Sequence, residues 1–488
     1  MLRIAIVHHH LRGGGITRVV ANAAEALRDR AVRLAVLVGE PPAESMPANL
    51  AVKVVPGLEY ANSANSAETV DSVELLRRLK DAAGRALGGA PDVWHVHNHG
   101  LGKNPALTHA VHLLAREQAP LLLQAHDFAE DGRPENYRFL RDGLRQLAPD
   151  EEINCLYPSG GRVHYALLNQ RDARALSAAG LTEKRCHVLA NTVFFEDTQP
   201  RATPRQTDFI VYPTRAIRRK NLGEFLLWTL AEPNCRFAVT LAPKNPDARQ
   251  IYEQWVRFAH DANLPATFNF AEQTKLAFPQ VLASAAFAAT TSVGEGFGLA
   301  FLEPWLTETP VIGRDLPEIT RDFKDHDIDL GMLYSRLDVP LEWVGEDTLK
   351  DALAREMQKS WRSYNRDLES TAVDQAMAAA VRDGGLVDFG RLNEPMQMSA
   401  LHKLQTDRQW QRKLRETIFA PAEAVRCRAV ADNRERVRNH YSLRAYGEKL
   451  EALYQTTANS AAEPHHCLDA AKVLDTFLDP ANFMLLRT

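Results

Sequence analysis

The residues best suited to chemistry lie in two short stretches. The first is Ser292-Val293-Gly294-Glu295-Gly296-Phe297-Gly298-Leu299-Ala300-Phe301-Leu302-Glu303. An apolar run from Ala285 to Thr291 ends there, glycines turn the chain, and a helix is expected near Leu299 to Leu306. Free N–H groups at a helix start attract phosphate, and glycine lets a ligand approach the backbone closely. Glu295 would stand at the carboxyl edge of a sheet, with Glu303 about one turn into the helix. A carboxylate accepts two hydroxyl hydrogen bonds, so the pair suits a sugar and a ribose. The second stretch is Tyr212-Pro213-Thr214-Arg215-Ala216-Ile217-Arg218-Arg219-Lys220-Asn221. Its cations would clamp a diphosphate, arginine with a planar fork and lysine as a point charge. Taken singly, the stretches also fit an incidental glycine loop and a charged helix start. Those two bland explanations hold jointly less well than singly, because the two loops would share one sheet edge.

The elements that must position these loops alternate. Leu2 to Val7 reads as a strand, Ile16 to Leu27 as an amphipathic helix, and Arg33 to Val38 and Val52 to Val55 as strands. Helices at Val70 to Leu87 and Leu107 to Gln118 flank a strand at Asp92 to His97, and Leu121 to Ala125 follows as another. His164 to Asn169, Asp172 to Ala179 and Arg185 to Ala190 repeat the pattern. The polar segment 196–204 reads as a connection, after which alternation restarts with Phe209 to Tyr212, Leu222 to Leu230 and Arg236 to Leu241. A helix at Asp247 to His260 and strands at Ala285 to Thr291 and Thr309 to Ile312 complete the second half. Such βαβ alternation predicts two mainly parallel sheets in tandem. Strand signals fade beyond about Leu341, where Asp347 to Val381, Asn393 to Arg415, Arg426 to Tyr454 and Leu468 to Leu486 read as helical. The expected domains are 1–198, 205–425 with a helical insertion from about 341, and 426–488.

Composition narrows the function classes. A chain of 488 residues exceeds one ordinary domain, and its 45% apolar and 25% charged residues fit a soluble globular protein. Lys plus Arg is 58 against 62 for Asp plus Glu, a net charge of −4, which argues against a nucleic-acid partner. Cys155, Cys186, Cys235, Cys427 and Cys467 form no C-x-x-C pair, so neither a disulfide framework nor a cysteine zinc site is expected. The first residues read as a strand too short for a signal segment, and no apolar run reaches the ~18 residues of a membrane span. A cytoplasmic protein without integral membrane contact is expected, and no feature specifies an oligomeric state. Arg12-Gly13-Gly14-Gly15 is not a dinucleotide fingerprint, because Arg18 stands where G-x-G-x-x-G needs glycine. The arginines of 426–438 read as a solvated helix face.

The paired stretches resemble the family 4 glycosyltransferases, retaining enzymes of the glycogen-synthase-like GT-B superfamily. The E-x7-E element of that family is matched by Glu295 and Glu303, and its Arg-x4-Lys clamp by Arg215 and Lys220. Gly13-Gly14-Gly15-Ile16-Thr17-Arg18 resembles its N-terminal glycine loop, Asp92 to His97 its strand ending in histidine, and Ala125-His126-Asp127-Phe128 its His-Asp after a strand. Asn439 to Tyr454 is similar to its closing helix, which crosses back to the first domain. The resemblance spans roughly 1–320 plus 430–457 and implies an α/β, GT-B fold: two Rossmann-like domains facing across a cleft, with an extended helical C-terminal region. It implies a first domain that holds the acceptor and a second that holds a nucleotide-diphosphate sugar as donor, with no cofactor and no metal. His126, Glu295, Arg215 and Lys220 would be catalytic, His126 facing the sugar's 6-position. Gly14, Gly15, Arg215, Lys220, Glu295, Gly296, Phe297, Gly298, Leu299 and Glu303 would bind the donor, Glu303 through its ribose.

Two departures stand out. Pro304 removes a backbone donor inside the expected helix and should kink it, shifting Glu303. The region 341–419 matches nothing in that family. His8-His9-His10 and the alternating His95, His97 and His99 could share a strand face and hold a metal, but no carboxylate partner follows. They are expected instead to be partly structural and partly a polar lining of the acceptor site. Arg12, His97, His99 and Lys103 are the acceptor-binding candidates, which points to a soluble, anionic acceptor. The activity expected is hexose transfer with retention. A glycoside phosphorylase or disaccharide synthase on the same fold is the enzymatic alternative, and a non-catalytic partner protein the alternative from another class.

Overall fold

Strand β1 (Leu2–Val7) is fully buried from Ile4 to Val7 and sends alternate side chains to opposite faces of its sheet. Such two-sided burial belongs to the middle of a parallel sheet, which explains the unbroken apolar run. The computed structural model describes residues 1–43, 46–47, 50–61, 71–149, 156–195, 204–425 and 428–488. The connection expected at 196–204 lies, apart from Pro204, outside these residues, as do Val70, Cys155, Arg426 and Cys427.

After β1 come α1 (Gly15–Ala26), β2 (Val32–Val38), β3 (Ala51–Val54), α2 (Ser72–Leu87), β4 (Val93–His97) and α3 (Pro105–Arg116). Then follow β5 (Leu121–Ala125), α4 (Pro134–Leu147), β6 (Pro158–Ser159), β7 (Val163–Leu167), α5 (Gln170–Ala178) and β8 (Cys186–Val188). A second series begins with β9 (Gln206–Arg215), α6 (Leu222–Ala231), β10 (Arg236–Leu241), α7 (Pro246–Asp261) and β11 (Ala266–Thr267). It continues through α8 (Phe270–Gln273), α9 (Phe278–Ser284), β12 (Ala285–Thr290), β13 (Val311–Arg314), α10 (Pro317–Lys324), β14 (Leu333–Tyr334) and β15 (Asp338–Pro340). Helices α11 (Glu346–Ser363) and α12 (Ala372–Ala380) precede β16 (Val381–Arg382) and β17 (Leu386–Asp388). The chain ends with α13 (Glu394–Leu404), α14 (Arg408–Val425), α15 (Arg428–Tyr441), α16 (Leu443–Asn459), β18 (His466–Cys467) and α17 (Ala470–Phe477).

The chain divides into two units, the first made of Met1–Thr192, Ser363–Arg366 and Tyr441–Leu478, the second of Val193–Arg362, Asp367–His440 and Asp479–Thr488. In the first, seven strands run in the order β3-β2-β1-β4-β5-β7-β8, all parallel. Ala5 and Val7 pack with Leu75, Leu79, Leu107 and Val111 of α2 and α3, while Ile4 and Ile6 pack with Val20 and Ala24 of α1 and Tyr446, Leu450 and Tyr454 of α16. Gly447 lets α16 lie close on α1, since a Cβ there would come within 2.6 Å of the Ala26 carbonyl oxygen. In the second unit six strands run β11-β10-β9-β12-β13-β14, again parallel.

The structure corrects several sequence expectations. Strands do not end at Leu341: β15, β17 and β16 form an antiparallel sheet, too short to leave a readable period. The helix expected over 347–381 is two, separated by a segment in which Asn365 takes a left-handed φ of 56°. Residues 426–488 are not one body either. Ser442 starts α16, its hydroxyl accepting from Ala445 N at 3.3 Å, and from Tyr441 the chain joins the first unit. The last residues belong to the second unit, where Leu485 and Leu486 are buried.

A buried ion cluster ties three elements of the second unit together. Arg314, 4% exposed at the end of β13, donates to Glu224 of α6 at 2.6 Å and to both oxygens of Asp388 at 2.8 and 3.0 Å. Tyr334 and Asn221 donate to the remaining positions on Glu224, at 2.7 Å each. Breaking such a cluster leaves uncompensated buried charge, which costs about 3–5 kcal/mol. Arg314→Met should lower the unfolding free energy in urea by about that much; a loss below about 1 kcal/mol, the scale of an exposed pair, would contradict the assignment.

Candidate active site

In an open parallel sheet, ligands bind beyond the carboxyl ends of the strands where the strand order reverses, because the two flanking loops diverge there and leave a crevice. In the second unit the reversal lies between β9 and β12. The loop after β9 carries Arg218 to Lys220 in one 3-10 turn, and the loop after β12 carries Gly294 to Gly298. The sequence-predicted stretches therefore flank the same switch point.

Hydrogen bonds lace the two loops together. Val293 N donates to the Arg219 carbonyl at 2.9 Å, and the Ser292 hydroxyl to the same oxygen at 3.3 Å. Thr291 Oγ1 reaches the carbonyls of Lys220 and Asn221 at 3.0 Å each, and the Tyr212 hydroxyl donates to Lys220 O at 2.9 Å. Asn221 holds the corner in a left-handed conformation, φ 52°, with its side chain bonded to Glu224 and Gln397. The result is that Lys220 Nζ and the Glu295 carboxylate form an ion pair, their side chains 14% and 9% exposed. A cation and a carboxylate fixed at a switch point can hold, respectively, a phosphate and a hydroxyl.

The other predicted residues divide. Arg215, at the end of β9, donates to the Ala242 carbonyl at 3.1 Å. Arg218 turns away and forms a two-pronged pair with Glu394 at 2.6 and 2.9 Å. Around Gly296 a Cβ would meet nothing within 4 Å, so the loop is open there, whereas Gly298, φ +95°, would press a Cβ to 3.0 Å of Ile319 and Phe301. Phe297 is buried, its ring packed edge to face on Phe323. The expected helix from Leu299 to Leu306 is replaced by two 3-10 turns, Leu299–Phe301 and Glu303–Thr307. Pro304 accounts for the break: it cannot donate to the preceding turn, but it sits without cost at the start of the second. Glu303 thus opens a new turn and is half-buried. Arg487, which the sequence did not single out, packs its guanidinium against Gly294, within 3.1 Å of where a Cβ would stand.

In the first unit the reversal lies between β1 and β4. Beyond β1, Gly14 and Gly15 open α1, whose first turn carries no acidic residue and no side-chain cap. Arg12 pairs with Glu40, Nε to Oε2 at 2.9 Å. Lys103 donates to Asn136 at 3.0 Å and lies over the Tyr60 ring. His97 and His126 share a hydrogen bond of 2.9 Å, with His8 edge-on to His97. Burial, reinforced by the neighbouring imidazole of His95, pushes His126 down to about 3, so it is neutral at pH 7. His99 does not share the face of His97. The strand ends at His97, Asn98 turns left-handed with φ 53°, and His99 is buried, with its Nε2 on the Leu156 carbonyl at 3.0 Å. Asn98 was missed by sequence reasoning. Its Oδ1 accepts from the backbone of His126 at 2.7 Å and Asp127 at 3.3 Å, fixing the loop after β5.

Comparison with known proteins agrees with this geometry. The chain is 24% identical to mannosylglucosyl-3-phosphoglycerate synthase of Petrotoga mobilis, over 98% of its own length and 96% of the relative's. Among solved structures it is similar to sucrose-phosphate synthase of Thermosynechococcus elongatus, at 14% identity, TM-score 0.51 and coverage of 93% and 98%. It is also similar to the Anabaena protein HepE in complex with UDP, at 12% identity, TM-score 0.52 and coverage of 93% and 100%. No family model matches the chain. Its two parallel sheets and these likenesses show the GT-B fold. No helix among the described residues is long and apolar enough to cross a membrane.

The buried titratable groups give opposite pH dependences. Burial holds His99 at about 4 against an ordinary 6.5, so its contribution is full above pH 6.5 and is lost as pH falls toward 4. Glu130, buried beneath the Tyr157 hydroxyl at 2.9 Å, is pushed up to about 7, so its ionisation weakens the fold as pH rises from 4.5 through 7. In urea titrations His99→Gln should lose less stability than wild type between pH 7.5 and pH 5, and Glu130→Gln should gain up to about 3 kcal/mol at pH 8 but not at pH 4.5. Parallel pH profiles for all three proteins would contradict these assignments.

Proposed function

We propose that the chain transfers a hexose from a nucleoside-diphosphate sugar to a hydroxyl of a phosphorylated, carboxylated acceptor, of the glycosyl phosphoglycerate class, with retention at the anomeric carbon. The observation that carries the donor half is the Lys220–Glu295 pair at the switch point of the second sheet. On ligand binding Lys220 exchanges its partner for the diphosphate, with Arg215 beside it, and Glu295 is released to accept from sugar hydroxyls. Glu303 takes the ribose hydroxyls, and the backbone of Gly296, Phe297, Gly298 and Leu299 lines the sugar. UDP and UDP-glucose, which HepE binds in its solved complexes, are the first donors to test.

In the reaction the bond from the sugar's anomeric carbon to the diphosphate oxygen breaks, and a bond to the acceptor oxygen forms on the same face. The acceptor's hydroxyl proton passes to the leaving diphosphate. The protein's part is positioning, and neutralisation of the diphosphate charge by Lys220 and Arg215. His126 is neutral at pH 7 and so can offer a hydrogen bond to a sugar hydroxyl without adding charge. For the acceptor, Arg12 and Lys103 supply cations on the first unit, and the relative's name supports an acid phosphate. No soluble-compartment assignment is needed for this chemistry; a cytoplasmic site of action is part of the proposal.

The test is a transfer assay with UDP-, GDP- and ADP-hexoses against phosphoglycerate, glucosyl phosphoglycerate and neutral glucosides, read by mass and by the anomeric proton coupling of the product. Hexose should appear on an acid-phosphate acceptor with the donor's anomeric configuration, and Arg12→Ala should raise the acceptor KM with little change in kcat. Transfer to neutral glucosides alone, or an inverted product, would overturn the proposal.

A further inference from the structure

Away from both switch points, three side chains from two distant parts of the sequence converge in the first unit. Cys467, 355 positions beyond His112, places its Sγ 3.9 Å from His112 Nδ1 and 3.8 Å from His465 Nε2. The three ligand atoms lie within 4.8 Å of one another, and the two imidazoles meet edge to face at 5.0 Å. We propose that His112, His465 and Cys467 bind a zinc ion that fastens the 461–469 segment to the first unit.

The distances fit a tetrahedral ion. With Zn–S near 2.3 Å and Zn–N near 2.0 Å, a sulfur and a nitrogen ligand stand roughly 3.5 Å apart, so each S–N pair needs to close by only a few tenths of an ångström. Two imidazoles and a thiolate make a borderline-soft set, which suits zinc and does not suit magnesium or calcium, ions that take oxygen ligands.

The ligands are held in place by the fold. His112 is buried on α3, which packs under the main sheet. Cys467 pairs with Pro158 in the β18–β6 ladder, and the next residue, Leu468, donates from its N to the Tyr157 carbonyl at 2.9 Å. Gly161 N donates to the Glu463 carbonyl at 2.9 Å, which fixes the approach to His465. His112 is sealed while His465 and Cys467 are half-buried, so the ion would enter from the solvent side and keep a water as fourth ligand.

The position defines the role. Helix α3 starts just beyond the carboxyl end of β4, so its last turns, with His112, lie toward the opposite edge of the sheet from His97 and His126. The ion is therefore a staple and takes no part in transfer. Binding removes the thiol proton, and because the unfolded chain holds no formed site, binding free energy is added to folding.

The full-length protein, stripped of metal with a chelator and dialysed, is titrated with cobalt(II) and then with zinc. The expected result is a sulfur-to-cobalt charge-transfer band and tetrahedral visible absorption, saturating at one ion per chain and displaced by zinc, with a higher melting temperature in zinc than in chelator. Cys467→Ser should abolish the charge-transfer band, and His465→Ala, at a half-buried position, should weaken zinc at least tenfold while circular dichroism stays native. Absence of the band in the wild-type protein, or its persistence in Cys467→Ser, overturns the proposal. So does unchanged zinc affinity in His465→Ala, a variant that tests the site even if Cys467→Ser fails to fold.

Discussion

The second unit depends on one guanidinium sealed between two carboxylates. Arg314 joins the end of β13, the first turn of α6 and the end of β17, and through Glu224 it reaches Asn221 at the corner of the cationic loop. An arginine fork fits two carboxylates at once, which lysine's point charge cannot do. From Asn221 the constraint passes along backbone carbonyls. Those of Arg219, Lys220 and Asn221 accept from Val293, Ser292, Thr291 and Tyr212, so the two loops at the switch point are held to one another. Lys220 and Glu295 are brought into contact by that lacing, and a ligand that separates them meets groups already in position.

How much of this was legible in sequence follows from what each signal reports. Parallel strands buried on both faces give continuous apolar runs, so β1, β5, β10 and β12 could be read within a residue or two. The two functional loops were legible because glycines and clustered cations are local in sequence. What a side chain pairs with is not local. Arg218 sits in the same cationic run as Lys220, yet Glu394, 176 positions on, takes it out of the site. Arg487 is similarly distant from Gly294, and β15, β16 and β17 are too short to carry a period. His99 failed as a face argument because alternation holds only while a strand lasts, and Asn98 ends it one residue earlier. A proline in an expected helix implies a kink; the chain instead uses Pro304 to restart a turn, which leaves Glu303 at the head of that turn.

The first unit solves a different electrostatic problem. It places His8, His97 and His126 together at the carboxyl edge of a parallel sheet, where three charged imidazoles would repel one another. Burial keeps them neutral by lowering their proton affinity, so they act as hydrogen-bonding surface rather than as charge. Two cations of that unit stand in partly exposed ion pairs: Arg12 with Glu40, and Arg133 with Asp127 at 2.5 Å. Such pairs exchange readily for an incoming phosphate or carboxylate, because exposed ion pairs are worth little on their own.

In the proposed function the Lys220–Glu295 pair marks the place where a donor diphosphate binds. Calorimetric titration of UDP, GDP and ADP into the wild-type protein and Lys220→Met tests it most directly. At least one of these nucleotides should bind the wild type, and Lys220→Met should weaken it by tenfold or more, about 1.4 kcal/mol. Equal affinity for the two proteins, or no binding of any of the three, would contradict it.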